Sequence, residues 1–145
     1  NGGKRVAPHL VGGIYDAGKN GSLGTLSSTV DTRVLNKLSL DSKQLGIIQQ
    51  GFHDVVNSGS SLATGKAMAS SIIPISGKTG TAETYATDDS GNLVTTVNLN
   101  AVAYATAKDG TKLAVGIMYP HALDGKSKAH QNAVKAIMEL YQNTH

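Results

Sequence analysis

The sequence predicts an α+β fold, an antiparallel sheet meander with packing helices. Apolar residues recur at helical spacing over Asp41–Asn57 and again close to the end of the chain. Between those stretches the pattern alternates as strands do, and the strand-like segments are separated by turns rich in Asp, Gly and Asn. Composition agrees: 39% hydrophobic and 16% charged residues over 145 positions describe a folded chain of about one domain's length.

Composition also excludes some classes. Aromatic residues make up only 4% and Trp is absent, so Val, Ile, Leu and Ala must fill the core. With no cysteine there is neither a disulfide framework nor a zinc–thiolate site. No apolar run approaches the length of a membrane span, and no signal-peptide pattern is present. The formal charge is +3, but the lysines are scattered and Lys4-Arg5 is the only adjacent basic pair. Without a basic stripe or aromatic stacking groups, the charge reads as a solvated surface rather than a nucleic-acid site.

The elements follow in order. "NGGKRVAPHLVGG" (1–13) is a Gly-rich opening containing Pro8. Val11–Tyr15 and Thr25–Val30 are candidate short strands, and "DAGKNGSLG" between them is turn chemistry. Asn20-Gly21-Ser22 has the letters of a glycosylation sequon and also reads as a turn. Leu45, Ile48, Phe52 and Val55 or Val56 line one face of a helix over 41–57, with Asp41 and Gln44 spaced as a capping box and Gly59 placed to end it. "SGSSLATGKAMA" (58–69) is a small-residue polar loop. "SSIIPISGKTGTAET" is β-prone, and Pro74 points to an edge strand or a bulge. "TDDSGN" turns the chain into a strand over Leu93–Ala107. "KDGT" is a tight hairpin signal, returning through Lys112–Pro120. In the last segment Ala133, Val134, Ile137, Leu140 and Tyr141 form one apolar helical face. His53 beside Asp54 is expected to be solvated or capping. His121 and His130 are expected on the surface, with no carboxylates spaced to make them a metal site.

"ISGKTGTAET" carries the chemistry. Its Gly-Lys-Thr matches the end of a phosphate-binding loop, but the first glycine of that motif would fall on Ile72, and the chain that follows reads as extended rather than helical. "GSSLATGKA" also fails, with one residue too many and Ala67 where a hydroxyl is needed. On a strand, Thr79 and Thr81 share one face and Lys78 takes the other, while Gly80 leaves room for a ligand against the backbone. A cation and two hydroxyls on an extended edge suit an extended peptide bearing a carboxylate. The plainer reading is a Thr-rich strand with a surface lysine.

"SGKTGTAE" resembles the Lys-Thr-Gly motif of the penicillin-binding proteins and serine β-lactamases, and its Ala82-Glu83 continuation is similar to the class B transpeptidases. "NGGKRVAPHLV" and "LGIIQQGFHDVVNSG" resemble segments that precede this motif in those enzymes, so the resemblance spans almost the whole chain. It implies that residues 1–145 are a single C-terminal portion of a transpeptidase domain, with a partial β-lactamase/transpeptidase-like fold lacking its N-terminal strands and nucleophile helix. It implies a serine-type D,D-transpeptidase that cross-links D-Ala-D-Ala stem peptides, binds β-lactam antibiotics and works on the extracytoplasmic face of the bacterial membrane. It assigns Lys78 as catalytic, with Thr79, Gly80 and Thr81 binding substrate, and it implies no cofactor.

No lysine has a serine three residues before it, so S-x-x-K is absent. Ser90-Gly91-Asn92 has the letters of S-x-N but lies after the motif, in a turn. This chain alone is therefore expected to be inactive. It would need the remainder of the transpeptidase domain, and its return strand would offer an open edge for self-association. Two alternatives remain: a non-catalytic peptide- or β-lactam-binding sensor module of the same fold, and a stand-alone interaction domain with a chance motif.

Overall fold

The computed structural model describes residues Asn1–His145. They divide into two compact units, Asn1–Gly46 and Ile47–His145.

In the first unit, β1 (Lys4–Val6) pairs antiparallel with β4 (Val34–Lys37), and β2 (Gly13–Ala17) with β3 (Leu23–Thr29). The expected strands are therefore β2 and β3, while β1 and β4 arise in stretches without a strand pattern. Between β2 and β3 the chain reverses through Asn20 (φ 56°) and Gly21 (φ 78°), and the Ser22 N–H donates to the Lys19 carbonyl at 3.2 Å. Left-handed conformations at both central residues give the primed turn that matches strand twist. No residue of this unit is fully buried.

Helix α1 (Ser42–Asn57) starts as its sequence requires. The Asp41 N–H donates to Gln44 Oε1 at 3.0 Å, and the Gln44 N–H donates to Asp41 Oδ1 at 2.8 Å, a reciprocal capping box. Gly59 does not end the helix by turning left-handed. Instead the Asn57 side-chain amide donates to the His53 carbonyl at 3.0 Å and to the Ile75 carbonyl at 2.8 Å, tying the helix end to the chain entering the sheet.

The second unit is built on one antiparallel sheet in the order β5 (Ser76–Thr87), β6 (Leu93–Thr106), β7 (Lys112–Ala122). Both hairpins use a three-residue loop closed by a left-handed glycine, Gly91 (φ 84°) in one and Gly110 (φ 86°) in the other. Asp88 bonds the Ser90 and Asn92 N–H groups, and Asp109 bonds that of Thr111. A register shift between Val97 and Leu99 opens the far end of β6–β7, where His121 is left-handed (φ 50°) and donates its N–H to Asn98 Oδ1 at 3.1 Å.

Strand alternation makes one face of this sheet dry. Gly77, Ala101, Ala103, Ala105 and Ala107 are buried there, and Leu113, Val115 and Ile117 pack beside them. Helix α2 (Ala129–Thr144) covers this face with Val134 and Met138, and Met68, Ile73, Ile75 and Val56 complete the core. The helical face expected from apolar spacing is rotated. Ile137 and Leu140 are exposed, at 45% and 65%, whereas His130 and Gln131 are buried. Gln131 faces inward because both ends of its amide find backbone partners, as described below. His130 is thus a buried group and not the surface histidine its sequence context suggests, and its Nδ1 has no partner.

Gly77 sits where the packing is tightest. A Cβ there would lie 2.8 Å from the Val102 carbonyl oxygen and 3.1 Å from Met68 Cε. Gly77→Ala is expected to destabilise the protein by about 1–3 kcal/mol through overpacking, read as a lower denaturant midpoint with an unchanged slope.

Burial, followed by the Lys128 charge, holds His130 below its ordinary pKa of 6.5. The unfolded chain therefore binds this proton more tightly than the folded one. The stability it contributes is complete above the unfolded value and is lost as the pH falls through the depressed folded one. On acidifying from about pH 7.5 to about pH 5, the stability gap between the parent and His130→Gln should narrow. Thermal unfolding at both pH values checks this, and a constant gap would contradict it.

Candidate active-site strand

Strand β5 carries all four residues singled out by the motif, and it pairs with β6 alone, leaving its other edge without a strand. The register sets Lys78 opposite Val102, Thr79 opposite Ala101, Gly80 opposite Asn100 and Thr81 opposite Leu99. Thr79 and Thr81 thus share the face that β6 fills with buried residues, and Lys78 belongs to the opposite, open face. A ligand laid along the free edge of β5 would meet both rows at once.

Lys78 is exposed, and its Nζ donates to the Thr79 carbonyl at 2.6 Å. Beside it Ile48, Gly51, Phe52 and Val55 of α1 form an open, apolar depression of about 180 Å³. Phe52 is fixed there against Tyr104 of β6, with ring centroids 6.1 Å apart and planes tilted by 58°. The Lys78 side chain therefore borders an apolar depression on one side and is open to solvent on the other. At Gly80 an added Cβ would meet only Asn100 Cβ, at 3.7 Å, so the backbone is open to close approach.

On the other face Thr79 Oγ1 lies 2.8 Å from Thr64 Oγ1. Thr64 belongs to the loop read from sequence only as polar and small. That loop is held by Gln131 of α2, which is 2% exposed. Gln131 Nε2 donates to the Thr64 carbonyl at 3.1 Å, and its Oε1 accepts the Ala67 N–H at 3.3 Å. The Gly65 N–H donates to the Val55 carbonyl at 2.9 Å, and Met68 is fully buried just beyond. Sequence reasoning missed Thr64 and Gln131, and no spacing or composition signal marks either.

The histidines lie apart from these four residues in the chain. His53 is paired with Asp54 at 3.4 Å, and His121 is exposed, with Nδ1 3.2 Å from Thr96 Oγ1. Ser90-Gly91-Asn92 forms the β5–β6 hairpin turn, as its sequence suggests.

Comparison with known proteins gives this strand its setting. Residues 1–139 match the family described as penicillin binding protein transpeptidase domain. The chain belongs to that family. It is 38% identical, over its whole length, to penicillin-binding protein 2B of Streptococcus pneumoniae strain R6, covering 21% of that protein. It is 33% identical over 97% of its length to penicillin-binding protein H of Bacillus subtilis, covering 19% of that one. A solved structure of the pneumococcal R6 protein superposes on the whole chain with a TM-score of 0.78 at 38% identity, and the match takes in 23% of that structure. The chain thus spans about a fifth of the length of the relatives it matches.

Proposed function

We propose that this chain is the C-terminal, Lys-Thr-Gly-bearing portion of a single transpeptidase domain, in a serine-type D,D-transpeptidase that cross-links peptidoglycan stem peptides and is acylated by β-lactams. The observation that carries this is Lys78-Thr79-Gly80-Thr81 on an edge strand, with a cation on one face and two hydroxyls on the other. Membership of the penicillin-binding transpeptidase family supports it.

The chemistry follows from what each group can offer. A stem peptide ending in D-Ala-D-Ala lies along β5 as an added strand, its backbone close to Gly80. The hydroxyls of Thr79 and Thr81 donate to its terminal carboxylate, and Lys78 supplies positive potential. A serine held elsewhere in the domain, on an S-x-x-K segment outside these 145 residues, attacks the penultimate carbonyl. The Thr81 N–H is one donor to the oxyanion that forms, a preorganised dipole of the kind that dominates acyl transfer. Terminal D-Ala departs with a proton, and the amine of a second stem peptide then displaces the serine from the acyl-enzyme. The protein acts on the extracytoplasmic face of the bacterial membrane. No helix of this chain is long and apolar enough to cross one.

The rest of the domain also covers apolar surface that this chain leaves open. Ile14, Leu23 and Leu26 are exposed on the β2–β3 ribbon, and two-stranded ribbons are marginal without a partner. On the open face of the main sheet Val102 and Met118 are 55% and 62% exposed.

Lys78→Ala in the full-length protein is expected to lower the rate of acylation by a penicillin by roughly 100-fold or more, in line with loss of a charged group from an oxyanion site. The 145-residue chain by itself should form no penicillin adduct on intact-mass analysis. An adduct on the short chain, or full acylation of the Lys78→Ala protein, would remove this reading. A full-length protein that acylates but never turns over stem peptide would favour the β-lactam sensor instead.

Strand β7 is bonded only to β6, so the isolated chain has an open edge there. It is expected to self-associate at high concentration. Sedimentation as a strict monomer would count against that.

A further inference from the structure

We propose that Thr64 is a positioning residue for the carboxylate-binding hydroxyl of Thr79, and that Gln131 holds it in place. The inference rests on the reading of Thr79 given above and extends it to a loop outside the motif.

The two hydroxyl oxygens are 2.8 Å apart across fifteen residues of chain, and either can be the donor. A hydroxyl has one proton. If Thr79 donates that proton to an anion, its oxygen must act as acceptor toward Thr64. In this arrangement the Thr64 O–H donates to Thr79 Oγ1, leaving the Thr79 proton free and aimed away from Thr64, toward the ligand. Successive hydrogen bonds of this kind polarise one another, so the bond to the anion is strengthened as well as directed. Thr79 is β-branched and has few χ1 choices, so one fixed neighbour is enough to select among them.

Thr64 can do this only if its own backbone is held. Gln131, 2% exposed, meets the Thr64 carbonyl through Nε2 at 3.1 Å and the Ala67 N–H through Oε1 at 3.3 Å. One buried amide therefore clamps the loop on both sides of Gly65, whose N–H is bonded to Val55 at 2.9 Å. A loop read from sequence only as small and polar thus becomes a fixed support for one hydroxyl. Thr64 remains exposed, so a ligand carboxylate at Thr79 has access to the pair.

The test uses the full-length protein and a penicillin, following acylation with binding and chemistry separated. Thr64→Val keeps the shape and removes the hydroxyl. It should reduce acylation efficiency about 5- to 10-fold, chiefly through weaker binding, as expected for one hydrogen bond serving a charged group. Thr64→Ser should restore most of it. The same penicillin with its carboxylate esterified should react equally with parent and Thr64→Val, a result that a merely structural defect would not produce. Thr79→Val combined with Thr64→Val should be no worse than Thr79→Val alone. Multiplying effects, failure of serine to rescue, or a loss that persists with the ester would each overturn the proposal. If Thr79→Val is impaired while Thr64→Val acylates like the parent, the positioning role falls and the reading of the site stands. If Thr79→Val itself acylates normally, both fall.

Discussion

The approach of helix α2 to the sheet is the constraint on which the second unit depends. Strand β6 turns Ala101, Ala103 and Ala105 toward that helix, Ala107 just past its end continues the row, and Gly77 of β5 lies beside Ala103. Side chains this small let the helix lie close, and Val134, Met138 and Met68 then fill the space between. Packing at this density leaves little tolerance for added volume. It also fixes β5 laterally, because Gly77 sits under Met68 one residue before Lys78. The side chains proposed to meet a substrate thus take their position from a row of methyl groups that never meets it.

The same closeness gives Gln131 its role. An amide buried in hydrocarbon needs partners for both ends, since an unpaired one costs about 1–3 kcal/mol. Here both partners are backbone groups of one loop, at Thr64 and Ala67. Satisfying the amide and ordering the loop are therefore one event. A few residues further on, the Ser70 hydroxyl donates to Glu139 of α2 at 2.7 Å, a second polar tie to the helix made between side chains. The helix holds the sheet by apolar contact and the connecting loop by polar contact.

Much of this was legible in the sequence, for identifiable reasons. The capping box, the two glycine-closed hairpins and the alternation of β6 are local codes, set by residues within a few positions of one another. The face of Thr79 and Thr81 against that of Lys78 follows from the two-residue strand period alone. Reading failed where a long-range partner decided the outcome. Ile137 and Leu140 belong to the apolar stripe of α2 by spacing, yet Gln131 and His130 take the buried side. Strands β1 and β4 are three and four residues long and exposed at every position, so no alternation announces them. Thr64 meets Thr79 only through the fold, and nothing local to it differs from any polar loop.

Gly77-Lys78-Thr79 shows how far the backbone, and not the letters, decides chemistry. In a phosphate-binding loop the same triplet opens a helix, where successive N–H groups converge on an anion. In β5 it lies within an extended strand paired residue by residue with β6. Successive N–H groups there point to opposite edges, so no cradle for a polyphosphate can form. What the strand offers instead is linear: a free edge, an exposed cation on one face, hydroxyls on the other, and a glycine where a ligand can come close. That layout suits a chain-like ligand ending in a single carboxylate. Alternation puts Lys78 and Thr79 on opposite faces, so the lysine cannot support the threonine hydroxyl directly. That support must come from outside the strand, and the structure has Thr64 at that place.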